Sequence, residues 1–536
     1  MVRARLRSRV KASQQPAVWL AVARLGRAAR VVSRHRTRWS YRVGYAWERA
    51  GRLDAAWAAY SEATGGALPP KPDPLEPVAV ETARLLAVQQ VRRRRRRWSL
   101  TGLWQRRGRV IPMVPKAQCR RWEQASAHDW ASRLHYLYWQ HRERYLPRYF
   151  ARAETYDMPR TRLTRAWRWY VGDVLIQSVK LVRANGKFIR QAAGVPIGRQ
   201  FREMVRLSLA LPSMPENYYK YEFYRPAQRA RANDYLHGHE NSPVLYEALA
   251  ETTGAAELAP LTDKVAFAAR AQELGLAVVP TLAMLQDGKI VTQVDKLPAA
   301  NLFVKPLSGK GGRGAARWVY LPEQDRYRSD GEAVARQQLV QVLADRSMGG
   351  AFLLQPCLTN HPDLADLALD AVVTCRIVTI TDEHGQPEPV IATFRMPAVP
   401  NTVVDNMHRG GVAAPVDIAT GVLGAASDYA TAGPPRWHTH HPASGGLIEG
   451  RKLPLWEQVV ALACEAHRRF HPRLLVGWDI SIGVEGPVLL EGNERPGVGG
   501  LQRLHNVALG AHRFGELLAF HLTQRLSATA GPGATQ

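Results

Sequence analysis

Asn301-Leu302-Phe303-Val304-Lys305-Pro306-Leu307-Ser308-Gly309-Lys310-Gly311-Gly312-Arg313-Gly314-Ala315-Ala316-Arg317-Trp318-Val319-Tyr320 decides how this 536-residue chain is read. An apolar run delivers Lys305 at its end, a loop with Ser308, Gly309, Gly311, Gly312 and Gly314 follows, and a second β-rich run closes it. Without a Cβ, glycine lets backbone N–H groups turn inward and approach phosphate oxygens closely. Lys305 adds a point charge for the same oxygens. A P-loop places its lysine after the glycines, and both it and the dinucleotide loop Gly-x-Gly-x-x-Gly lead into a helix. Here the lysine comes first and a strand follows, so both fit poorly. An ordinary glycine-rich hairpin stays open on this stretch alone.

The second decisive stretch is Gly477-Trp478-Asp479-Ile480-Ser481-Ile482, followed by Pro487-Val488-Leu489-Leu490-Glu491-Gly492-Asn493-Glu494-Arg495-Pro496-Gly497. Two β-rich runs joined at Val484-Glu485-Gly486 make a hairpin. Glu491 and Asn493 are two apart on one strand and share a face, and Asp479 lies on the partner strand. Two carboxylates and an amide form a hard, oxygen-only donor set that suits magnesium, or manganese, beside nucleotide phosphates. Carboxylates at strand ends also cap turns, which is the structural alternative.

Taken in order, these pieces resemble the ATP-grasp superfamily, and within it the sugar-transfer-associated, glutamate-ligase-like branch, over about residues 240–526. Leu261-Thr262-Asp263-Lys264 resembles the helix start bearing a first ATP lysine, and Phe303-Val304-Lys305-Pro306 the second. Phe352-Leu353-Leu354-Gln355-Pro356 resembles the hinge strand whose backbone receives adenine. Thr374-Cys375-Arg376-Ile377-Val378 resembles the strand carrying an arginine for phosphate or intermediate, and Asp479, Glu491 and Asn493 match the metal triad. Asn406-Met407-His408-Arg409-Gly410-Gly411, with Val416-Asp417, resembles the glycine turn beside the reaction centre. His408, Arg409, Gly410, Gly411 and Arg495 are accordingly candidate substrate contacts, and Asp363 is the candidate for a ribose contact. The α/β domain that usually precedes the grasp domain is not evident, and a helical stretch over 120–250 takes its place.

Composition bounds this reading. The chain is 46% hydrophobic and 22% charged, which is ordinary for a globular protein. Lys+Arg 73 against Asp+Glu 46 gives +27, a field that favours anionic partners or else spreads arginine over the surface. Cys119, Cys357, Cys375 and Cys464 stand far apart with no CxxC pair, which fits a reducing compartment and neither a zinc ribbon nor a disulfide framework. No apolar run approaches the roughly 20 residues of a membrane span. The first apolar stretch is interrupted by Arg24, so a cytoplasmic location is expected, with the inner membrane surface as the peripheral alternative.

Along the chain, residues 1–118 are arginine-rich, with one tetratricopeptide-like hairpin over about 38–66 and a proline-rich linker over 67–78. Six adjacent arginines, Arg92 through Arg97, read as a solvated face, with an anionic membrane surface as the alternative. In 119–250, Trp130, Leu134, Leu137 and Tyr138, then Trp167, Val171, Val174 and Leu175, recur at helical spacing and read as core. From 251 to 526 the pattern becomes α+β, with strands expected at 302–305, 317–321, 352–355, 372–380, 390–396, 475–482 and 488–491. Helices are expected there at 263–274, 332–343, 455–470 and 512–526, and 527–536 is a tail. Trp437-His438-Thr439-His440-His441-Pro442 carries histidines at a spacing zinc can use, but no third ligand stands near, and a substrate contact or a plain turn accounts for it.

The fold class expected is therefore α+β: a C-terminal ATP-grasp domain of two lobes clamping ATP, preceded by a mainly helical region. The resemblance implies an ATP- and magnesium-dependent ligase joining a carboxylate, through an acylphosphate, to an amine acceptor, with a glycan or peptide as one partner. A kinase on the same fold and a basic nucleic-acid- or membrane-surface-binding protein are the alternatives, nucleic acid being the least expected partner.

Overall fold

The computed structural model describes residues 53–64, 113–152, 166–211, 213–238, 244–250, 261, 263–307, 315–329, 332–348, 350–369, 371–399, 410–428 and 436–528. The chain forms two compact units, residues 1–109 with 155–157 and residues 110–154 with 158–536. In the first, the described element is helix α1 (Leu53–Thr64), the second half of the expected hairpin, with Ala56, Trp57 and Tyr60 buried. The rest of that hairpin, the linker 67–78, Arg92 through Arg97 and the tail beyond Ala528 lie outside the described residues.

The second unit opens with helices α2 (Lys116–Ala125) and α3 (Trp130–Arg152). A π-helical stretch, Arg168–Ile176, then runs straight into α4 (Gln177–Ala193), and α5 (Ile197–Ala210) follows. Gly194 ends α4 in the left-handed conformation, where glycine has no Cβ penalty. An aromatic core joins Trp122, Met204, Tyr218, Tyr221, Phe223 and Tyr235. Trp122 donates from Nε1 to Asn233 Oδ1 at 2.8 Å, so its one polar atom stays satisfied on burial. The helical periodicity assigns Leu134, Leu137, Tyr138 and Val174 to the interior correctly. Trp130, Trp167 and Leu175, however, are exposed. Spacing fixes which residues share a face, but whether a neighbour covers that face is a tertiary matter.

Two seven-stranded sheets follow. The first contains β1 (Ala283–Gln286), β2 (Lys289–Gln293), β3 (Leu302–Pro306), β4 (Ala316–Leu321), β5 (Arg326–Ser329), β6 (Glu332–Ala335) and β7 (Ala351–Pro356), in the order β2-β1-β7-β3-β4-β5-β6. Leu302, Val304, Trp318, Tyr327 and Leu354 form its buried side against Leu339 and Leu343 of helix α7 (Leu339–Arg346). The helix expected over 332–343 is thus corrected: its first third is β6, and the helix begins at Leu339. Residues 332–335 pair antiparallel with Ser329 to Arg326, and this pairing outweighs a weak helical preference.

The second sheet contains β8 (Thr374–Thr381), β9 (Pro387–Met396), β10 (Val412–Val416), β11 (Ala426–Ser427), β12 (Trp437–His438), β13 (Leu475–Gly483) and β14 (Gly486–Asn493), in the order β12-β11-β10-β9-β8-β13-β14. Its apolar face, with Cys375, Ile377, Phe394, Ala414, Trp478 and Ile480, packs on Trp456, Val459, Ala463 and Ala466 of helix α8 (Trp456–Arg469). Their three- and four-residue spacing is what an amphipathic helix presents to a sheet. By the two-residue period, Arg376, Arg395, Gly477, Asp479, Glu491 and Asn493 stand on the opposite face. Helices α9 (Val498–His505) and α10 (Arg513–Ala528) complete the unit. The α+β class and every expected strand are present. The short strands β1, β2, β5, β6 and β10 to β12 were not legible in the sequence. All four cysteines are free thiols.

Candidate functional site

Helix α6 (Lys264–Glu273) starts where Asp263 accepts hydrogen bonds from the Val265 and Ala266 amides at 2.7 and 3.1 Å. That cap satisfies two otherwise orphaned donors. Phe267 anchors the helix, its ring stacked 5.5 Å from Phe470 and tilted against Trp478 at 6.5 Å. Lys264, at the first turn, is thereby aimed at the end of β3, where Nζ lies 3.5 Å from the Pro306 carbonyl oxygen.

On β3, Leu302 and Val304 face the core, so Phe303 and Lys305 face the other way. Gln355 is opposite Phe303 on β7, and Leu353 is opposite Lys305. The Lys305 ammonium is pushed down to about 8, by burial first and by the nearby Lys264 charge second, while Glu491 works in the opposite direction. The two lysines and Glu491 therefore share one site, although they come from α6, the first sheet and the second. The sheets are tied beside it by the segment 277–279: Leu489 donates to Ala277 O at 2.8 Å, and Gln355 Nε2 donates to Val279 O at 3.4 Å.

Asp479 is directly opposite Glu491 on β14 and Arg376 on β8. It is 4% exposed. Arg376 grips it with two parallel hydrogen bonds, that from Nη2 to Oδ2 at 2.6 Å, and Arg395 Nη2 reaches Oδ2 at 2.7 Å. Arg395 is itself held by Thr374 Oγ1 at 2.9 Å. Burial would raise the Asp479 carboxyl, but the Arg376 and Arg395 charges outweigh it and hold the group well below the usual carboxylate range. Glu491 goes the other way, raised by desolvation first and by the Asp479 charge second. Arg376 Nη2 is 3.8 Å from Glu491 Oε1, too far to compensate fully. Asn493 donates from Nδ2 to the same oxygen at 3.3 Å, which leaves its amide oxygen for a cation. Glu491, with its charge under-compensated, and Asn493 fit a divalent ion; Asp479 adjoins them with both oxygens already on guanidiniums. Among the described residues no group of three His, Cys, Asp or Glu is placed to hold a metal.

The remaining candidates are placed as follows. Ser308, Gly309, Gly311, Gly312, Gly314, His408 and Arg409 lie outside the described residues. Gly410 has φ of 92°, a conformation that costs a side-chain-bearing residue, and Gly411 is buried beside it. Asp417 caps its own turn, accepting from Thr420 N at 2.8 Å. Asp363 is exposed next to His361, and no contact joins it to the lysine–carboxylate cluster. Arg495 pairs with Glu247 at 2.7 Å and, with Glu494, Arg473 and Tyr246, lines a small cavity. His441 is buried, with Nε2 2.6 Å from Pro397 O and Nδ1 accepting from the Ser444 amide at 3.2 Å. Both ring nitrogens are thus engaged in a turn, which removes it as a zinc ligand.

Two groups escaped the sequence reading. Arg395 sits in an expected strand, but only the register brings it beside Asp479. Lys220, from the helical region, reaches the glycine segment after Asn493: a Cβ on Gly499 would meet its Nζ at 2.4 Å. Pro496 of that segment and Cδ of Arg376 both adjoin Gly477.

Among solved structures the chain is similar to D-alanyl-alanine synthetase A from Vibrio cholerae O1 biovar eltor, at 14% identity over 51% of this chain and 68% of that one, with a TM-score of 0.32. It is similar to D-alanine–D-alanine ligase from Bacillus anthracis complexed with ATP, at 13% identity over 59% and 85%, with a TM-score of 0.31. For an L-amino acid ligase from Bacillus licheniformis the identity is 12% over 50% of this chain and 48% of that one, with a TM-score of 0.29. No curated protein sequence matches the chain. Residues 251–512 match the family described as sugar-transfer associated ATP-grasp, and this part of the chain belongs to that family.

Proposed function

We propose that the chain is an ATP- and divalent-cation-dependent carboxylate–amine ligase working through an acylphosphate. The observation that carries the reading is the convergence of Lys264 and Lys305 with Glu491, beside the Asp479–Arg376 pair. Such a site has cations for a polyphosphate on one wall and an anionic pair with a bidentate arginine on the other. Lys264, Lys305 and the amides of the 308–314 loop neutralise the phosphates, and the backbone near Gln355 receives adenine. Glu491 and Asn493, with Asp479 adjoining, would hold magnesium, which would supply positive charge to neutralise the nucleotide phosphates.

The residues act by position and charge. Arg376 and Arg395, fixed by Asp479, present guanidinium edges where negative charge develops, on the acyl oxygen as the amine attacks and on the phosphate as it leaves. Gly410 and Gly411 let backbone approach the same region. No side chain is required as a covalent nucleophile. We propose a glycan or peptide as one of the two partners, and the family's description, sugar-transfer associated, favours the glycan.

The test uses hydroxylamine with ATP, magnesium and a panel of carboxylic acids, with product masses read directly. A ligase of this type gives ADP and an acid-derived hydroxamate, because hydroxylamine displaces phosphate from an acylphosphate. Phosphate added to a hydroxyl, with no hydroxamate from any acid, would replace this reading with a kinase.

A further inference from the structure

The stretch 166–211 carries eight Lys/Arg against two acids, Asp173 and Glu203. It also carries a concentration of exposed apolar side chains. Trp167 is 56% exposed, Leu175 43%, Ile176 39% and Val179 38%, and Tyr170 and Phe188 are exposed as well. The other side of the same helices is buried, with Trp169, Val174 and Ile189 fully enclosed. The exposure is thus a property of one face and does not reflect a loosely packed helix.

Helix geometry orders that face. Positions four apart form ridges, and Leu175, Val179, Arg183 and Lys187 make one of them. Ile176, Lys180, Ala184 and Phe188 make the neighbouring ridge. The first begins with two aliphatic residues and continues into two cations, and the second begins with an aliphatic residue, carries Lys180 one turn on and ends on the exposed Phe188. Trp167, exposed, stands just before the π-helical stretch that carries Leu175 and Ile176. This is an amphipathic arrangement with the apolar patch rimmed by long basic side chains, whose aliphatic stems can lie on apolar surface while the charged ends stay in a polar layer.

We propose that this face of α4 and the preceding π-helical stretch docks on an anionic lipid surface. The aliphatic residues and Trp167 enter the boundary between headgroups and acyl chains, and Lys180, Arg183 and Lys187 pair with lipid phosphates. Charge selects the occupant. A second copy would set the same excess of cations against itself, a like-charge contact that weakens association. A nucleic acid would supply phosphates but no environment for Leu175, Ile176 and Val179, which lack the flat rings that stack on bases. No described helix is long and apolar enough to cross a membrane, so the contact is interfacial. The inference does not depend on the ligase reading, since none of these residues touches the lysine–carboxylate site.

The test is co-sedimentation of the full chain with vesicles of phosphatidylcholine containing phosphatidylglycerol, and with phosphatidylcholine alone. Binding is expected only with the anionic lipid, and is expected to weaken as salt is raised. A triple change to serine at Leu175, Ile176 and Val179, and a triple change to glutamate at Lys180, Arg183 and Lys187, should each weaken binding by roughly tenfold or more. Because five of these residues are exposed and Lys180 is only half-buried, circular dichroism and thermal unfolding of both variants should match the unchanged chain. Failure of the unchanged chain to bind would overturn the proposal. So would binding lost on neutralising Arg92 through Arg97 but kept in both triple variants. A dimer that the serine variant converts to monomer would assign the face to self-association instead, and DNA affinity lost in that variant would assign it to nucleic acid.

Discussion

Asp479 and Glu491 stand directly opposite each other on β13 and β14, and their carboxyls are displaced in opposite directions. Two guanidiniums explain the difference. Arg376 and Arg395 both spend their charge on Asp479, and Glu491 receives only the distant edge of one of them. The result is a pre-formed anion–cation pair with one under-compensated carboxylate beside it, which is what a cation arriving with a nucleotide would find.

Asp479→Asn should destabilise the protein by about 3–5 kcal/mol, because it strands two guanidiniums around a buried site. Equilibrium denaturation checks this, and a change below about 1 kcal/mol would show that the arginines are not held by Asp479. The sign with pH follows from the depressed carboxyl. Its contribution is complete above the unfolded value of 3.8 and is lost as pH falls through the folded value. The asparagine variant should lack that acid-limb loss.

Glu491→Gln should behave oppositely. A raised carboxyl means that the folded state binds the proton more tightly, so stability falls as pH rises from 4.5 through the folded value and stays lower above it. At neutral pH the glutamine variant should therefore be as stable as the unchanged chain, or more so, without ligand. The same variant should lose the rise in Tm produced by ATP with magnesium, as should the unchanged chain treated with a chelator. Thermal unfolding of both chains with and without ATP and magnesium, and of the unchanged chain with chelator, separates these effects.

Lys305 titrates at about 8 in the free protein, so ATP affinity should fall as pH rises through that value. Lys305→Arg, charged throughout, should flatten the profile, and Lys305→Ala should lower kcat on the order of 10²–10³-fold. For the free protein the linkage has the other sign. Between about 8 and 10.5 the unfolded chain holds the proton that the folded one has released, so stability rises with pH across that window. Affinity measured against pH, with stability measured in parallel, tests both statements.

Gly492→Ala should cost about 1–3 kcal/mol by overpacking and should reduce turnover as well. Gly492 lies between Glu491 and Asn493 with its face to the core, where an added Cβ would meet Leu261 Cδ2 at 2.5 Å and Trp478 Cζ3 at 2.9 Å. Relief requires the strand to lift, which moves both site residues together. Gly497→Ala, with open space around the position, is the matched control and should be nearly silent.

The candidate site was partly legible because its elements are local. A lysine ending an apolar run, a glycine loop returning into a strand, and an acid and amide two apart on another strand each carry their meaning within a few residues. The two-residue period then places Lys305 opposite the core and Glu491 beside Asn493 without any tertiary information. Arg395 illustrates the limit. Its strand was expected, but pairing with Asp479 depends on β9, β8 and β13 lying side by side in a fixed register, which no window along the chain contains. Lys220 is further out of reach, since it belongs to the helical region and meets Gly499 across 279 positions of sequence.

By itself, then, the sequence determined the α+β class, the strands that form the two sheet centres, and the lysines, acids and arginine expected at a nucleotide site. It did so because strand period and turn chemistry are short-range. Tertiary structure alone decided which carboxylate is neutralised and which is left short of charge, that β6 replaces the start of a helix, and that Trp167 and Leu175 face outward. Those outcomes depend on desolvation and on which neighbour arrives, and both are set only when distant segments pack.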